Sequence, residues 1–150
     1  MFRKSGHSSI QSELFNEHSF FRAFSADIKN AKREVLIESP YITVRRASEF
    51  SKLCPKLMKK GVQVHIRTRN PNHHSDNLRK QALLGIKILI DAGAKVSAYD
   101  DLRHRKLAII DSMILWEGSL NMLSHSNSKE IMRRDVSPVL CSKVLKLTAG

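Results

Sequence analysis

One stretch of the chain gathers side chains that can act on a phosphate. It runs His104-Arg105-Lys106-Leu107-Ala108-Ile109-Ile110-Asp111 and, after six further residues, Gly118-Ser119-Leu120-Asn121. In an extended strand, side chains two apart share a face. His104 and Lys106 therefore point the same way at the strand's start, and Asp111 falls on the opposite parity at its end. Ser119 and Asn121 share parity if their stretch is also extended. Asp111-Ser112, set between two apolar runs, reads as a hairpin turn. Folding back there returns Gly118 to Asn121 beside His104 and Lys106. One imidazole, one ammonium, one hydroxyl and one carboxamide around a small patch suit a phosphate. Lysine supplies charge, serine and asparagine supply donors, and histidine can attack phosphorus or carry a proton.

Something must hold that patch. Phe20, Phe21, Phe24 and Ile28 recur at spacings of three and four, which predicts an amphipathic helix from Phe15 to Ala31. Val35-Leu36-Ile37, stopped at Ser39-Pro40-Tyr41, reads as a buried strand. Phe50, Leu53, Leu57 and Met58 mark a second helix, with Ser48 as its N-cap and Gly61 as its stop. A strand follows at 62–66, a polar loop at 68–76, a third helix through Leu83 to Ala92 ended by Gly93, and a strand at 95–99. Strands at 106–110 and 114–116 form the hairpin. Ile131-Met132 is a further strand or part of a loop, and 139–147 a closing helix. Strands alternating with helices, then a hairpin, predict an α/β fold with a mixed sheet sandwiched between helices. The polar, irregular start reads as a flexible arm over 1–14, with one domain over 15–150.

The chain has 150 residues, enough for one core. Apolar residues make up 41% and charged residues 27%, as in soluble globular proteins. No apolar run reaches the roughly 18 residues of a membrane span. No apolar segment follows Arg3-Lys4, so a secretory signal is not expected. Lys and Arg total 26 against 14 Asp and Glu, a formal charge of +12. From Tyr41 to Lys80, ten basic residues face only Glu49 and Asp76. A surface this basic and this uneven points to a polyanionic partner, nucleic acid before an anionic membrane. Cys54 and Cys141 form no C-x-x-C pair, which argues against a thiolate zinc site. Cys54 reads as a small core residue, both thiols as reduced, and the compartment as cytoplasmic.

The pattern H-x-K-x(4)-D, followed after six residues by G-S-x-N, resembles the signature of the phospholipase D superfamily. It is carried by His104, Lys106, Asp111, Gly118, Ser119 and Asn121, six defined positions within 18 residues. The likeness extends more weakly over about 15–135, through Ser39-Pro40-Tyr41 and the strand–helix order. It implies an α-β-α sandwich and a covalent phosphodiesterase that needs neither metal nor cofactor. One histidine attacks phosphorus and a second protonates the departing oxygen, then activates water. Lysines and asparagines hold the non-bridging oxygens. Glu130 lies where family members commonly carry an acidic residue that orients the histidine; a plain surface charge is the alternative. Asp111 counts with the catalytic set of the pattern, although a turn carboxylate is more simply a turn-former. Gly118 reads as a backbone requirement or a close approach of substrate.

The resemblance implies two motifs per site, and this chain has one. His7, His18, His65, His73, His74 and His125 all lack a lysine two residues on. A homodimer with both His104 side chains near the two-fold axis would supply the second copy, as in single-motif nucleases of the family. The two imidazoles would then titrate as a unit, one neutral and one protonated.

Other residues have competing readings. Arg105 and the pair Arg133-Arg134 are candidate substrate-binding cations; a solvated pair is the alternative for the latter. Trp116 can stack on a base, but core packing is simpler for an apolar strand residue. His73-His74 lacks a carboxylate or thiol at useful spacing and is assigned no metal. His125, among Ser124, Ser126 and Asn127, reads as polar loop with a possible approach to substrate. Three functions compete: a nuclease acting as a homodimer, a phospholipid phosphodiesterase or phosphatidyl transferase, and a non-catalytic nucleic-acid-binding module. Motif and charge together favour the first.

Overall fold

Burial on alternate residues sets the centre of the sheet. In Glu34–Glu38 (β2), Val35 and Ile37 are buried, and in Gln63–Arg69 (β3), Val64, Ile66 and Thr68 are buried. The structure, a computed structural model, describes residues 12–149. β2 and β3 pair in parallel, and Lys95–Tyr99 (β4) adds in parallel outside β3. On the other side of β2 the pairing is antiparallel, through Leu107–Ile110 (β5), Ile114–Gly118 (β6), Ile131–Val136 (β7) and Ser12–Asn16 (β1). The seven-stranded order is β1-β7-β6-β5-β2-β3-β4. This is the expected mixed sheet.

Helices Phe20–Lys29 (α1), Val44–Ser51 (α2), Cys54–Lys59 (α3) and Asp76–Asp91 (α4) contribute to the larger core. Phe20, Phe24, Phe50, Leu57 and Leu89 meet Ile37, Ile66, Ile110 and Trp116 there. Pro138–Thr148 (α5) covers the opposite face of β5 and β6, with Cys141 against Leu107, Ile109 and Leu115. Every residue of β5 is therefore buried, Ala108 and Ile110 on one side and Leu107 and Ile109 on the other. A strand fixed on both faces is a rigid base for the residues that precede it.

Four expectations need correction. The loose arm does not reach residue 14, since β1 begins at Ser12 and pairs with β7 from Ser12↔Asp135 to Asn16↔Ile131. Residues 1–11 of that expected arm lie outside the described residues. The first helix does not begin at Phe15, because Asn16 Oδ1 accepts from the amides of His18 (2.9 Å) and Ser19 (3.0 Å) and turns the chain. The second helix is two. Thr43, not Ser48, caps α2, accepting from Arg46 N, and Pro55 opens α3 because it has no N–H to continue α2. The loop expected at 68–76 is shorter, as β3 runs to Arg69, a 3₁₀ turn occupies Pro71–His73, and α4 starts at Asp76.

Candidate active site

His104 lies in the irregular segment that leads into β5. Its side chain is exposed, and no hydrogen bond reaches its ring among the described residues. Lys106 Nζ folds back to donate to the His104 carbonyl at 2.7 Å. The residues between and before them are anchored elsewhere. Arg105 Nε donates to Glu38 Oε2 at 2.5 Å and Nη2 to Oε1 at 3.3 Å. Arg103 Nη1 reaches the same carboxylate at 3.4 Å, and Arg67 Nη1 lies 3.6 Å away. Glu38, at the end of β2, is fully buried. Three guanidinium groups offset the cost of burying that charge. Arg105, a predicted substrate contact, is thus committed to an internal ion pair. Tyr99 packs under Arg103, whose guanidinium carbon lies 4.4 Å from the ring centroid. Burial, with the nearby Glu38 carboxylate, pushes the Tyr99 hydroxyl up to about 12.

The hairpin delivers Gly118 where the sequence spacing requires. Asp111 and Ser112 both take positive φ, 54° and 53°, at the centre of a tight turn that Met113 N closes on Ile110 O at 3.0 Å, so that Ile110 pairs with Ile114. Leu107 pairs with Glu117, and Gly118 N donates to Lys106 O at 3.3 Å. A Cβ on Gly118 would stand 2.3 Å from the Ile131 carbonyl oxygen, so no larger residue fits. Ser119 is tied to the start of β7: its Oγ accepts from Ile131 N at 3.0 Å, and its own N–H donates to Ile131 O at 3.0 Å. From there the chain crosses the start of β5 to the end of β2. Asn121 Oδ1 accepts from Tyr41 N at 3.3 Å, and Leu123 N donates to Ser39 Oγ at 3.3 Å. Leu120, Met122 and Leu123 are buried beneath this crossing.

Asp111 sits at the far end of β5 from His104. Its carboxylate accepts from the amides of Lys32 (2.9 Å), Arg33 (2.7 Å) and Glu34 (3.0 Å). Burial alone would raise its pKa, but those amides and the Arg33 guanidinium together hold it below the usual aspartate value. It locks β5 to the start of β2, away from His104 and Lys106. Arg134 is likewise taken up: it grips Asp27 through Nε (2.7 Å) and Nη2 (3.0 Å), and Glu13 through Nη1 (3.0 Å). Asp27 also accepts from Trp116 Nε1 at 2.7 Å. Trp116 is fully buried among Phe15, Phe20 and Phe24, so it is core and not a stacking surface. Arg133 pairs with Glu117 (3.1 Å) and Asp135 (2.9 Å).

Glu130 is half-buried, and its backbone N–H donates to Glu17 Oε2 at 2.9 Å. With Tyr41, Thr43, Asn121, Ser124 and His125 it lines a cleft at this end of the sheet. Sequence reasoning missed Glu38, Tyr41 and Thr43 as parts of the site. The cue for Glu38 was an acid directly after Val35-Leu36-Ile37, inside a buried run. His73 pairs with Asp100 at 2.9 Å, and His74 stacks on Tyr41 with centroids 4.8 Å apart. No cluster of three metal-ligating side chains occurs among the described residues.

The fold is thus an α/β sheet with His104, Lys106, Gly118 and Asn121 near the ends of its strands. The sequence matches the family described as cardiolipin synthase, PLD-like domain, over residues 24–146. The chain belongs to this family, within the phospholipase D superfamily of phosphodiesterases. The fold is similar to that of Nuc from Salmonella typhimurium, described as a phospholipase D family member, with a TM-score of 0.74 and 17% identity over 90% of this chain and 89% of that one. NucT from Helicobacter pylori matches with a TM-score of 0.68 and 21% identity over 91% of each chain. TrmBL2, described as an archaeal chromatin protein with a novel mode of DNA binding, matches with a TM-score of 0.58 and 11% identity over 93% of this chain and 51% of that one. No curated protein matches the sequence significantly. No helix among the described residues is long and apolar enough to cross a membrane.

Proposed function

We propose that the protein is a metal-independent nuclease whose active site forms between two copies of the chain. The observation that carries this reading is the state of His104: exposed, with no hydrogen bond to its ring among the described residues, and held by Lys106 on the segment that leads into the buried strand β5. A nucleophile left open to solvent by its own chain is half of a site. Leu102, 83% exposed two residues earlier, gives the same segment an apolar contact for a second copy.

In the dimer, a ring nitrogen of His104 attacks phosphorus. A P–N bond forms as the P–O bond to the leaving oxygen breaks. His104 of the partner subunit, protonated, gives its proton to that oxygen. It then takes a proton from water, whose oxygen attacks phosphorus and releases the first imidazole. Lys106 and Asn121 stabilise the charge that builds on the non-bridging oxygens. Asp111 and Arg105 act at a distance by fixing the two ends of the segment that carries His104. Polynucleotide is favoured as substrate by the +12 charge.

The test is cleavage of plasmid, single-stranded DNA and RNA in EDTA. Activity that persists in EDTA and disappears in His104→Ala supports the reading; binding without cleavage by the wild type overturns it. The description of the matched family as cardiolipin synthase favours a second substrate, a phospholipid diester. Turnover of anionic phospholipid vesicles in place of nucleic acid would select it.

A further inference from the structure

We propose that a second cleft, walled by Arg46, His125 and Lys129, holds the phosphate next to the one being cleaved. The substrate is then engaged at two consecutive phosphates of one strand. This rests on the nuclease reading and deepens it, by making a polymer, not an isolated diester, the preferred substrate.

The cleft lies between the Glu17-His18 turn, the first turn of α2 and the loop 124–129. It shares Leu120, Ser124, His125, Ser126 and Ser128 with the cleft that reaches Asn121 and Glu130. The two spaces are therefore neighbours with a common wall.

Arg46 is the centre of the second cleft. Its side chain is only 12% exposed, lies 3.9 Å over the Phe21 ring centroid, and donates through Nη1 to Glu49 Oε2 at 2.8 Å. Its Nε is buried and has no partner. A guanidinium carries five N–H donors in a planar fork suited to phosphate oxygens, and one carboxylate leaves that capacity partly unused. Thr43 Oγ1 fixes the register of two walls at once, since it accepts from Arg46 N (3.4 Å) and from His125 N (2.9 Å). Lys129 and the hydroxyls of Ser124 and Ser126 complete a donor-rich lining.

Glu17 is the one carboxylate in the lining, and it is already engaged. Its Oε2 accepts from Glu130 N at 2.9 Å, and its Oε1 lies 3.7 Å from His18 Nε2. Leu120 is the one apolar lining residue, and it is buried. A lipid headgroup would bring acyl chains that need apolar surface, and Leu120 is the single apolar side chain this cleft offers them. A polynucleotide needs only a run of donors along its backbone.

The experiment compares steady-state cleavage of a dinucleotide, which has one diester, with a trinucleotide, which has two. It uses the wild-type chain, Arg46→Met and Lys129→Ala. The expected result is that both substitutions raise KM for the trinucleotide about tenfold, with kcat/KM for the dinucleotide changed less than about twofold. Lys129 is exposed, so Lys129→Ala keeps the test valid if Arg46→Met fails to fold. Trinucleotide KM values unmoved by Lys129→Ala, or losses equal on both substrates, overturn the subsite while leaving the nuclease reading intact. A wild-type chain that cleaves single-stranded DNA but neither short nucleotide overturns the two-phosphate subsite alone; one that cleaves none of the three overturns both. Cleavage of phosphatidylglycerol vesicles impaired by the same substitutions assigns the cleft to a lipid headgroup and overturns it.

Discussion

Arg105 straddles the buried carboxylate of Glu38, with Nε 2.5 Å from Oε2 and Nη2 3.3 Å from Oε1. Glu38 is the last residue of β2 and pairs across the ladder with Leu107, the first of β5. Arg105 and Arg103 both turn toward this acid. His104, between them, is left facing solvent. The orientation of His104, the proposed nucleophile, thus rests on a carboxylate that is itself fully buried.

That dependence predicts the behaviour of Glu38→Gln. The amide has one acceptor oxygen and no charge, so it cannot hold three guanidinium groups. Stability falls by about 2 kcal/mol, read as a lower urea midpoint. Because His104 loses its fixed position, kcat falls at least about tenfold while KM changes little. An unchanged kcat in a folded variant contradicts the positioning role.

Gly118→Ala tests the closest approach in the site. The added methyl meets the Ile131 carbonyl at 2.3 Å and Met132 Cα at 2.9 Å, both backbone atoms that cannot swing aside. The strain costs about 1–3 kcal/mol and displaces Ser119 from Ile131. Thermal unfolding shows the first effect, and loss of cleavage at a temperature where the variant is folded shows the second. A variant as stable and as active as the wild type contradicts it.

Asp111 predicts a pH dependence of stability. Its folded pKa lies below the ordinary aspartate value, despite burial, because backbone amides stabilise the carboxylate. The stability it contributes is present above about pH 4, the ordinary value, and is lost as pH falls through the lower folded pKa. Asp111→Asn is therefore less stable than the wild type at pH 7, and the gap narrows at pH 3. Urea midpoints at both values check this; a gap that stays constant contradicts it.

Both cysteines are buried, and burial pushes the Cys54 thiol up to about 11. Burial also raises Cys141, with the Asp135 carboxylate adding to it. Iodoacetamide at pH 8 should label neither in the folded protein and both in urea. Rapid labelling of the folded chain would contradict the packing of α3 and α5.

Much of this was legible in the sequence because the informative signals were local. The alternation in Val62 to Ile66, the turn at Asp111-Ser112 and the spacing of His104, Lys106 and Gly118 each depend on near neighbours. They gave the sheet class and the hairpin that sets Gly118 against Lys106. What was not legible depends on distant partners. β1 has a single half-buried residue, Phe15, and exists through pairing with β7 more than a hundred residues away. Arg105 and Arg134 resemble free surface cations until Glu38 and Asp27 are placed beside them. Asp111 belongs to the motif by spacing, yet its partners, the amides of 32–34, are distant in the chain. Thr43 joins Arg46 to His125, a contact no spacing reveals.

The central claim is that each site needs His104 from two chains, and subunit mixing tests it most directly. Wild-type and His104→Ala chains are co-refolded at fixed total concentration and assayed on single-stranded DNA in EDTA. If two His104 residues build one site, activity follows the square of the wild-type fraction, about one quarter at equal mixing. Activity that falls linearly, to about one half, means that each chain carries a complete site, and contradicts the account.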